Sequence, residues 1–127
     1  MAARILIVED NLDLLTILQE LLSTEFDVRT AQTGEDAIEI ARTFEPDLVL
    51  LDLQLPGING METGRIIKRE AGHRFVPILV LTALADVAEQ AAIVETGCCD
   101  AWMAKPAPLL TIRAKVNELL YSHSELT

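Results

Sequence analysis

The sequence predicts an α/β fold: a doubly wound sheet of five parallel strands, (βα)5, with helices on both faces. Short runs rich in Ile, Leu and Val alternate along the chain with longer stretches whose apolar residues recur at helical spacing. The short runs are continuously apolar, which is typical of parallel strands buried on both faces, and parallel neighbours need crossover connections. The chain has 127 residues and no linker, repeat or low-complexity segment, so one domain over residues 1–127 is expected.

The first half of the chain predicts two strand–helix units. Arg4 to Val8 is a continuous apolar strand, and a helix is expected after Asn11. One face of this helix carries four apolar residues: Leu14, Ile17, Leu18 and Leu21. Phe26 to Ala31 predicts the second strand. Thr33 begins a capping box, in which its hydroxyl accepts from a free backbone N–H of the second helix, and Pro46 ends that helix.

The third unit follows directly. Asp47 to Leu51 predicts the third strand, residues 56–60 form a turn-rich loop, and Met61 to Glu70 predicts the third helix. Pro77 to Leu81 then predicts the fourth strand.

The last part of the chain predicts two helices and one short strand. The fourth helix is expected from about Asp86 to near Gly97, and the fifth strand from about Ala101 to Ala104. Pro108 opens the fifth helix. Its apolar stripe consists of Leu109, Ile112, Val116, Leu119 and Leu120.

Composition excludes several classes of function. The chain carries 10 Lys and Arg against 20 Asp and Glu, a formal net charge of −10. Nucleic acids and anionic membranes bind proteins through Lys and Arg, so direct contact with either is not expected. The apolar runs fall far short of the roughly 20 residues that span a bilayer, and a cytoplasmic protein is expected. The adjacent Cys98 and Cys99 suit neither a disulfide framework nor a zinc site.

Polar side chains stand where four of the predicted strands end. Glu9 and Asp10 follow the first strand, and Asp52, Thr82 and Lys105 follow the third, fourth and fifth. In an open parallel sheet these ends meet at one edge, where ligands bind. Two carboxylates about 4 Å apart repel by about 4 kcal/mol at an effective dielectric of about 20, and one lysine cannot balance three of them. The pattern therefore predicts a divalent cation, and an open carboxylate site with room for phosphate oxygens suits Mg²⁺.

Four motifs make the sequence resemble the receiver domains of bacterial two-component response regulators, the family of the chemotaxis regulator. They are Val8-Glu9-Asp10-Asn11, Leu51-Asp52-Leu53-Gln54-Leu55-Pro56 with Gly60, Leu81-Thr82-Ala83, and Lys105-Pro106. The motifs occur in order on the expected strands, and the resemblance covers the whole chain. It implies a flavodoxin-like fold with strand order 2-1-3-4-5.

The resemblance implies the chemistry of the site. Asp52 would be the phosphoacceptor, taking a phosphoryl group from the phosphohistidine of a sensor kinase. Lys105 and the Thr82 hydroxyl would each hold a phosphoryl oxygen. Mg²⁺ would be the cofactor. Its ligands would be Glu9, Asp10, Asp52 and the main-chain carbonyl of Gln54.

Further roles follow from the same resemblance. Gln54, Ala83 and Leu84 would flank the phosphoryl group, and the small Ala83 would leave room for it. Trp102 falls at the switch-aromatic position, where the side chain is expected to turn inward as Thr82 moves. A half-buried strand aromatic without a switching role is the alternative.

The sequence departs from the family pattern near the fifth strand. Gly97 lies one residue farther from Lys105 than the usual glycine, and Cys98 stands in the usual place. Ala107 replaces the large apolar residue that usually follows Lys-Pro. The local loop and packing are therefore expected to differ. The Lys105–Pro106 bond is cis in the family, although only about 5–6% of X-Pro bonds in folded proteins are cis.

The resemblance also implies partners. A sensor histidine kinase or phosphotransfer protein would donate the phosphoryl group, and a downstream protein target or a C-terminal output domain would read it. A homodimer through the face of the fourth helix, fifth strand and fifth helix is a further expectation.

Two other classes compete with this interpretation. A pseudo-receiver, an adaptor or oligomerisation module that does not use phosphorylation, would not need the retained acidic, hydroxyl and lysine residues. A haloacid-dehalogenase-like phosphatase would carry a second Asp two residues after the nucleophile, where this chain has Gln54. A phosphoacceptor that assists its own chemistry, and is not otherwise an enzyme, is the preferred prediction.

Overall fold

A computed structural model describes residues 2–83, 93, 95, 97 and 99–125 of the chain, with side chains described up to residue 121. It contains one parallel sheet in the order β2-β1-β3-β4-β5. The strands are β1 (Arg4–Val8), β2 (Asp27–Ala31), β3 (Leu48–Leu51), β4 (Ile78–Thr82) and β5 (Ala101–Ala104). The helices are α1 (Leu12–Ser23), α2 (Gly34–Phe44), α3 (Gly60–Ala71) and the C-terminal helix (Leu109–Glu125).

The predicted fold class and strand order are confirmed, with boundaries shifted by one residue at some ends. The boundary shift that matters for the site is at the end of β4, which includes Thr82 because this residue pairs with Ala104 of β5. The predicted fourth helix lies largely outside the described residues, as do Leu84 and Cys98. In the described part of the chain, no helix is both long and apolar enough to cross a membrane.

The core consists of two layers because side chains alternate across the sheet. In β1, Leu6 and Val8 pack with residues of α2 and α3. Ile5 and Ile7 face the opposite side, where they pack with α1 and the C-terminal helix. The side chains of Ile5, Leu6, Ile7 and Val8 are all buried, which explains why the strand is apolar without interruption after Arg4.

Side-chain caps begin three helices near the carboxyl edge of the sheet. Asn11 Oδ1 accepts from Leu14 N at 3.0 Å, and Thr33 Oγ1 accepts from Asp36 N at 3.1 Å, as the capping box predicts. Asn59 Oδ1 accepts from Glu62 N at 2.9 Å and begins α3. The positive ends of these helix dipoles therefore lie on the side of the sheet that carries the acidic residues.

Gly60 fixes the loop between β3 and α3. Its N–H donates to the Leu53 carbonyl at 3.0 Å. A Cβ at this position would lie 2.4 Å from Leu53 Cα and 2.5 Å from the Asp52 carbonyl oxygen. The start of α3 therefore contacts the backbone of Asp52 and Leu53 directly, which only glycine allows.

Candidate functional site

The predicted site residues meet at the carboxyl edge of the sheet. Glu9 follows β1, Asp52 follows β3, Thr82 ends β4 and Lys105 follows β5. The chain connects β1 to β2 on one side and continues to β3 on the other, so the edge between β1 and β3 is the topological switch point of this sheet. Ligand sites of doubly wound folds lie there.

Three carboxylates converge at this point. One oxygen from each of Glu9, Asp10 and Asp52 lies within 4.8 Å of the others. Glu9 and Asp52 are only 2% and 4% exposed, whereas Asp10 faces solvent. Two buried carboxylates beside a third, open one make a site of concentrated negative charge with access from water.

Lys105 supplies the positive charge within this group. Its Nζ donates to Glu9 Oε1 at 2.8 Å and to Asp52 Oδ2 at 3.2 Å. Burial alone would lower the pKa of Lys105, but the hydrogen bond to Glu9 and the charges of both carboxylates hold the pKa above its usual range. The lysine is therefore firmly protonated in the folded protein.

Glu9 is held from two sides. Its Oε1 accepts from Lys105, and its Oε2 accepts from the backbone N–H of Asn11 at 3.1 Å. Burial raises the pKa of Glu9, and the negative charge of Asp52 adds to this rise, although the bonds from Lys105 and Asn11 oppose it. The ionised carboxylate is thus less stable here than in water, and an added cation would relieve this cost.

Asp52 is held both by its backbone N–H and by its carboxylate. Its N–H donates to the Val8 carbonyl at 2.9 Å, which continues the β1–β3 pairing. Its Oδ1 accepts from Gln54 N at 3.0 Å, and its Oδ2 faces Lys105. The turn after β3 therefore orients the carboxylate before any partner binds.

The remaining predicted residues surround this centre unequally. Thr82, expected just after the fourth strand, is the last residue of β4 and is fully buried; it pairs with Ala104 of β5, and its carbonyl accepts from Lys105 N at 2.7 Å. The side chains of Gln54 and Ala83 are exposed. Trp102 is half-buried against the core layer shared with α2 and α3. The Lys105–Pro106 peptide bond is cis, as the resemblance implied.

The donor set fits a hard divalent cation. Carboxylate oxygens from Glu9, Asp10 and Asp52 are the ligands that Mg²⁺ prefers, and exposed Asp10 leaves open positions for water. Three acidic side chains against one lysine also leave an excess of acidic groups at the site. This chemistry supports the expected Mg²⁺ site and argues against a zinc site, for which nitrogen and sulfur ligands predominate.

Two features of the site were not predicted from the sequence. One is the Asn11 N–H bond to Glu9, and the other is the closer approach of Lys105 to Glu9 than to Asp52. The bond from Asn11 N–H to Glu9 has a local pattern, because it joins an acidic side chain to the backbone two residues on, as in an Asx-turn. The choice between two carboxylates depends on side-chain rotamers, which no sequence spacing specifies.

The fold and the site together define an α/β protein with three carboxylates and one lysine grouped at the switch point of a parallel sheet. The family model described as the response regulator receiver domain matches residues 5–117. The chain belongs to this family and is a receiver domain of the two-component signal transduction system.

Curated relatives agree with this assignment. The chain is 37% identical over 121 residues to the DNA-binding response regulator MtrA of Mycolicibacterium paratuberculosis, covering 94% of this chain and 52% of that protein. It is 31% identical over 107 residues to the polar-differentiation response regulator DivK of Brucella ovis, covering 84% of this chain and 86% of DivK. The chain thus spans about half the length of MtrA and most of the length of DivK.

Solved structures share the fold. The beryllofluoride-activated receiver domain of DrrB, a Thermotoga maritima protein, matches with a TM-score of 0.85 and 30% identity over 95% of this chain and 99% of that chain. A CheY-like receiver domain protein from Methanospirillum hungatei matches with a TM-score of 0.91 over the full length of both chains, at 22% identity, and so shows the fold alone.

Proposed function

We propose that Asp52 is the residue that accepts the phosphoryl group. The observation that carries this proposal is the position of its carboxylate: buried at the switch point, with one oxygen fixed by Gln54 N and the other facing Lys105. The donor would be the phosphohistidine of a sensor histidine kinase or phosphotransfer protein, the partner class that response regulator relatives imply.

The transfer would form one bond and break one. An Asp52 carboxylate oxygen bonds to phosphorus while the phosphorus–nitrogen bond of the donor histidine breaks, and the electron pair leaves with the imidazole nitrogen. The product is an acyl phosphate. Because such transfer depends mainly on positioning and charge neutralisation, the fixed orientation of Asp52 is itself a catalytic contribution.

Two other residues would stabilise the new phosphoryl group. Lys105 would exchange its bond to Asp52 Oδ2 for a charge-assisted bond to a phosphoryl oxygen. Thr82 ends the neighbouring strand, from which its hydroxyl would donate to another phosphoryl oxygen. Gln54, Ala83 and Leu84 would flank the group, and Trp102 would respond to the movement of Thr82.

Mg²⁺ would be held by Glu9, Asp10, Asp52 and the Gln54 carbonyl. When bound, it would neutralise the carboxylates and the incoming phosphoryl oxygens. The excess of carboxylates over lysine supports this proposal. The chain would then be a phosphoacceptor that assists its own phosphorylation and dephosphorylation, without a separate substrate of its own.

The output would be a change in protein binding in the cytoplasm. Relatives such as the DNA-binding response regulator MtrA are about twice as long as this chain, which supports a C-terminal output domain or a downstream protein target as the reader of the signal. A homodimer through the face of the predicted fourth helix, β5 and the C-terminal helix is a second arrangement. Nothing observed favours the pseudo-receiver alternative.

The test is phosphorylation of the native chain and of Asp52→Asn by acetyl phosphate with Mg²⁺, followed by intact mass. We expect one added phosphoryl group in the native chain and none in the variant. Equal phosphorylation of both chains would overturn the assignment of Asp52.

A second pair of variants tests the metal ligands. Asp10→Asn should abolish Mg²⁺ binding, measured by calorimetry, because it removes the open carboxylate of the group. Asp13→Asn removes the same charge from the exposed first turn of α1 and serves as the matched control. Equal Mg²⁺ affinity in both variants would place the metal elsewhere.

A further inference from the structure

A second ionic contact joins α3 to the two strands at the edge of the sheet. Lys68 Nζ lies 2.7 Å from Asp100 Oδ2, and the two side chains are only 24% and 26% exposed. Lys68 comes from α3, and Asp100 directly precedes β5. The pair therefore connects residues 32 positions apart. It lies at the amino ends of the strands, whereas the carboxylates lie at the carboxyl ends.

Asp100 also binds the first residue of β4, through its backbone N–H and through its side-chain carboxylate. Its backbone N–H donates to the Ile78 carbonyl at 2.9 Å, and its Oδ2 accepts from Ile78 N at 2.8 Å. The side chain thus adds a bond where the β4–β5 pairing begins. This closed pair of bonds fixes which residue of β5 lies opposite which residue of β4.

Lys68 holds Asp100 in this position. Its Nζ also donates to the Val76 carbonyl at 3.0 Å and lies 5.3 Å from the centre of the Phe75 ring. The Lys68 ammonium group therefore contacts three partners: Phe75 and Val76, which precede β4, and Asp100, which precedes β5. An ion pair with this many anchors is held more rigidly than an exposed pair between two free side chains.

The alignment set at Asp100 determines the position of Lys105. β5 has four residues and is the edge strand next to β4, so few bonds hold it. Trp102 is opposite Val80, and Lys105 N donates to the Thr82 carbonyl at the far end. Because Lys105 comes five positions after Asp100, the lysine lies roughly 16 Å along the strand from the pair, and a slip by one residue would turn every side chain of β5 to the other face.

We propose that the Lys68–Asp100 ion pair is a positioning element of the phosphoryl site: it fixes the pairing of β5 with β4 and thereby places Lys105 and Trp102. This proposal rests on the role of Lys105 proposed above. The three carboxylates follow β1 and β3, whose pairing sets the backbone that carries them, and Mg²⁺ bound among them would neutralise Glu9 and Asp52 in place of Lys105. Loss of the pair should therefore weaken phosphoryl binding and leave Mg²⁺ binding intact.

The experiment compares beryllofluoride affinity, at saturating Mg²⁺, with Mg²⁺ affinity alone, both by calorimetry. Asp100→Ala should weaken beryllofluoride binding about tenfold, with Mg²⁺ affinity changed by less than about twofold. Lys68→Met and Asp100→Asn should produce the same pattern at about threefold, because Asp100→Asn keeps an acceptor for Ile78 N and Lys68→Met leaves the backbone bonds in place. These two variants keep the test decisive if Asp100→Ala does not fold.

The chain offers a matched control in the ion pair between Arg42 of α2 and Glu70 of α3, which lie 2.9 Å apart and join two helices to each other rather than a helix to β5. Arg42→Met and Glu70→Gln should leave both affinities unchanged. Trp102 emission should change in Asp100→Ala and stay constant in the control variants.

Each outcome has a separate meaning. Native beryllofluoride affinity in all three Lys68 and Asp100 variants would overturn the positioning role while leaving the function of Asp52 intact. A parallel loss of Mg²⁺ and beryllofluoride affinity would show general loosening, which also overturns it. Failure of the native chain to bind beryllofluoride would instead count against the proposed function.

Discussion

At the scale of single residues, Lys105 is the counter-charge for two buried carboxylates. Its Nζ bonds Glu9 and Asp52, both nearly inaccessible to water. Removing one partner of a buried ionic group is costly because the other charges stay buried without compensation. The stability of the metal-free protein and the proposed phosphoryl chemistry therefore involve the same ammonium group.

We predict that Lys105→Met lowers the free energy of unfolding of the metal-free protein by about 3 kcal/mol, measured with urea in the presence of a chelator. Lys115→Met is the control, because its exposed pair with Glu118 should contribute no more than about 0.5 kcal/mol. The pKa of Lys105 is raised in the folded state, so its contribution is fully present below the ordinary lysine pKa and is lost as pH rises through the folded value. The difference between native chain and variant should therefore shrink at strongly alkaline pH, and a constant difference would contradict this account.

At the scale of elements, the loop from Asp52 to Gly60 links the proposed phosphoacceptor to the start of α3. Gly60 has no room for a Cβ against Leu53 and the Asp52 carbonyl. The Gln54 carbonyl, a proposed metal ligand, lies within the same loop. Any shift of α3 away from β3 must therefore move this part of the site.

We predict that Gly60→Ala lowers Mg²⁺ affinity as well as stability, because the loop must move to admit the methyl group. Calorimetry gives the affinity, and urea unfolding gives the stability. Thr33→Ala is the comparison: it removes the N-cap of α2 and should cost about 1 kcal/mol of stability with no change in Mg²⁺ affinity. Unchanged Mg²⁺ affinity in Gly60→Ala would show that the loop adjusts without disturbing the ligands.

Much of this element structure could be predicted from the sequence. The apolar run from Arg4 to Val8 gives β1 its observed bounds, and Thr33 caps α2 as its sequence indicates. Both follow from local patterns, namely continuous burial and a capping hydroxyl. The Lys68–Asp100 contact could not be predicted, because a contact between α3 and the start of β5 depends on how elements pack and not on spacing along the chain.

The candidate site shows the same division. The positions of Asp52 and Lys105 at one edge follow from strand ends in a parallel sheet. The pairing of Lys105 with Glu9, and the burial of Thr82 within β4, depend on rotamers and strand pairing that appear only in three dimensions. Sequence thus predicts which groups meet, while structure determines which of them bond.

At the scale of the whole molecule, the net charge of −10 opposes folding through self-repulsion. The metal-free site adds three carboxylates within a few ångströms of one another. At 0.1 M ionic strength, salt largely screens the repulsion between exposed charges that lie more than about 10 Å apart. The compact state should therefore gain stability from screening.

We predict that potassium chloride raises the thermal midpoint of the metal-free protein, and that the gain is smaller once Mg²⁺ is saturating, because the bound ion already neutralises part of the cluster. Thermal unfolding followed by circular dichroism at low and moderate salt measures both effects. Asp10→Asn without metal should respond less to salt than the native chain, since one charge of the cluster is gone. A midpoint that falls with salt would indicate that favourable ion pairs outweigh the excess negative charge.

The bond between Glu9 and Lys105 has a consequence for biosynthesis. It closes a loop of 96 residues, from the end of the first strand to just beyond the last. A ribosome releases the chain from its N-terminus, so Glu9 emerges long before its ammonium partner exists. If Glu9 and Asp52 were buried before Lys105 was synthesised, their charges would lie in the core without compensation, at a cost in free energy. We therefore expect the carboxyl ends of β1 and β3 to stay hydrated in the nascent chain until residue 105 has been made. Completion of the acidic centre and completion of the fold are, for this chain, the same late event.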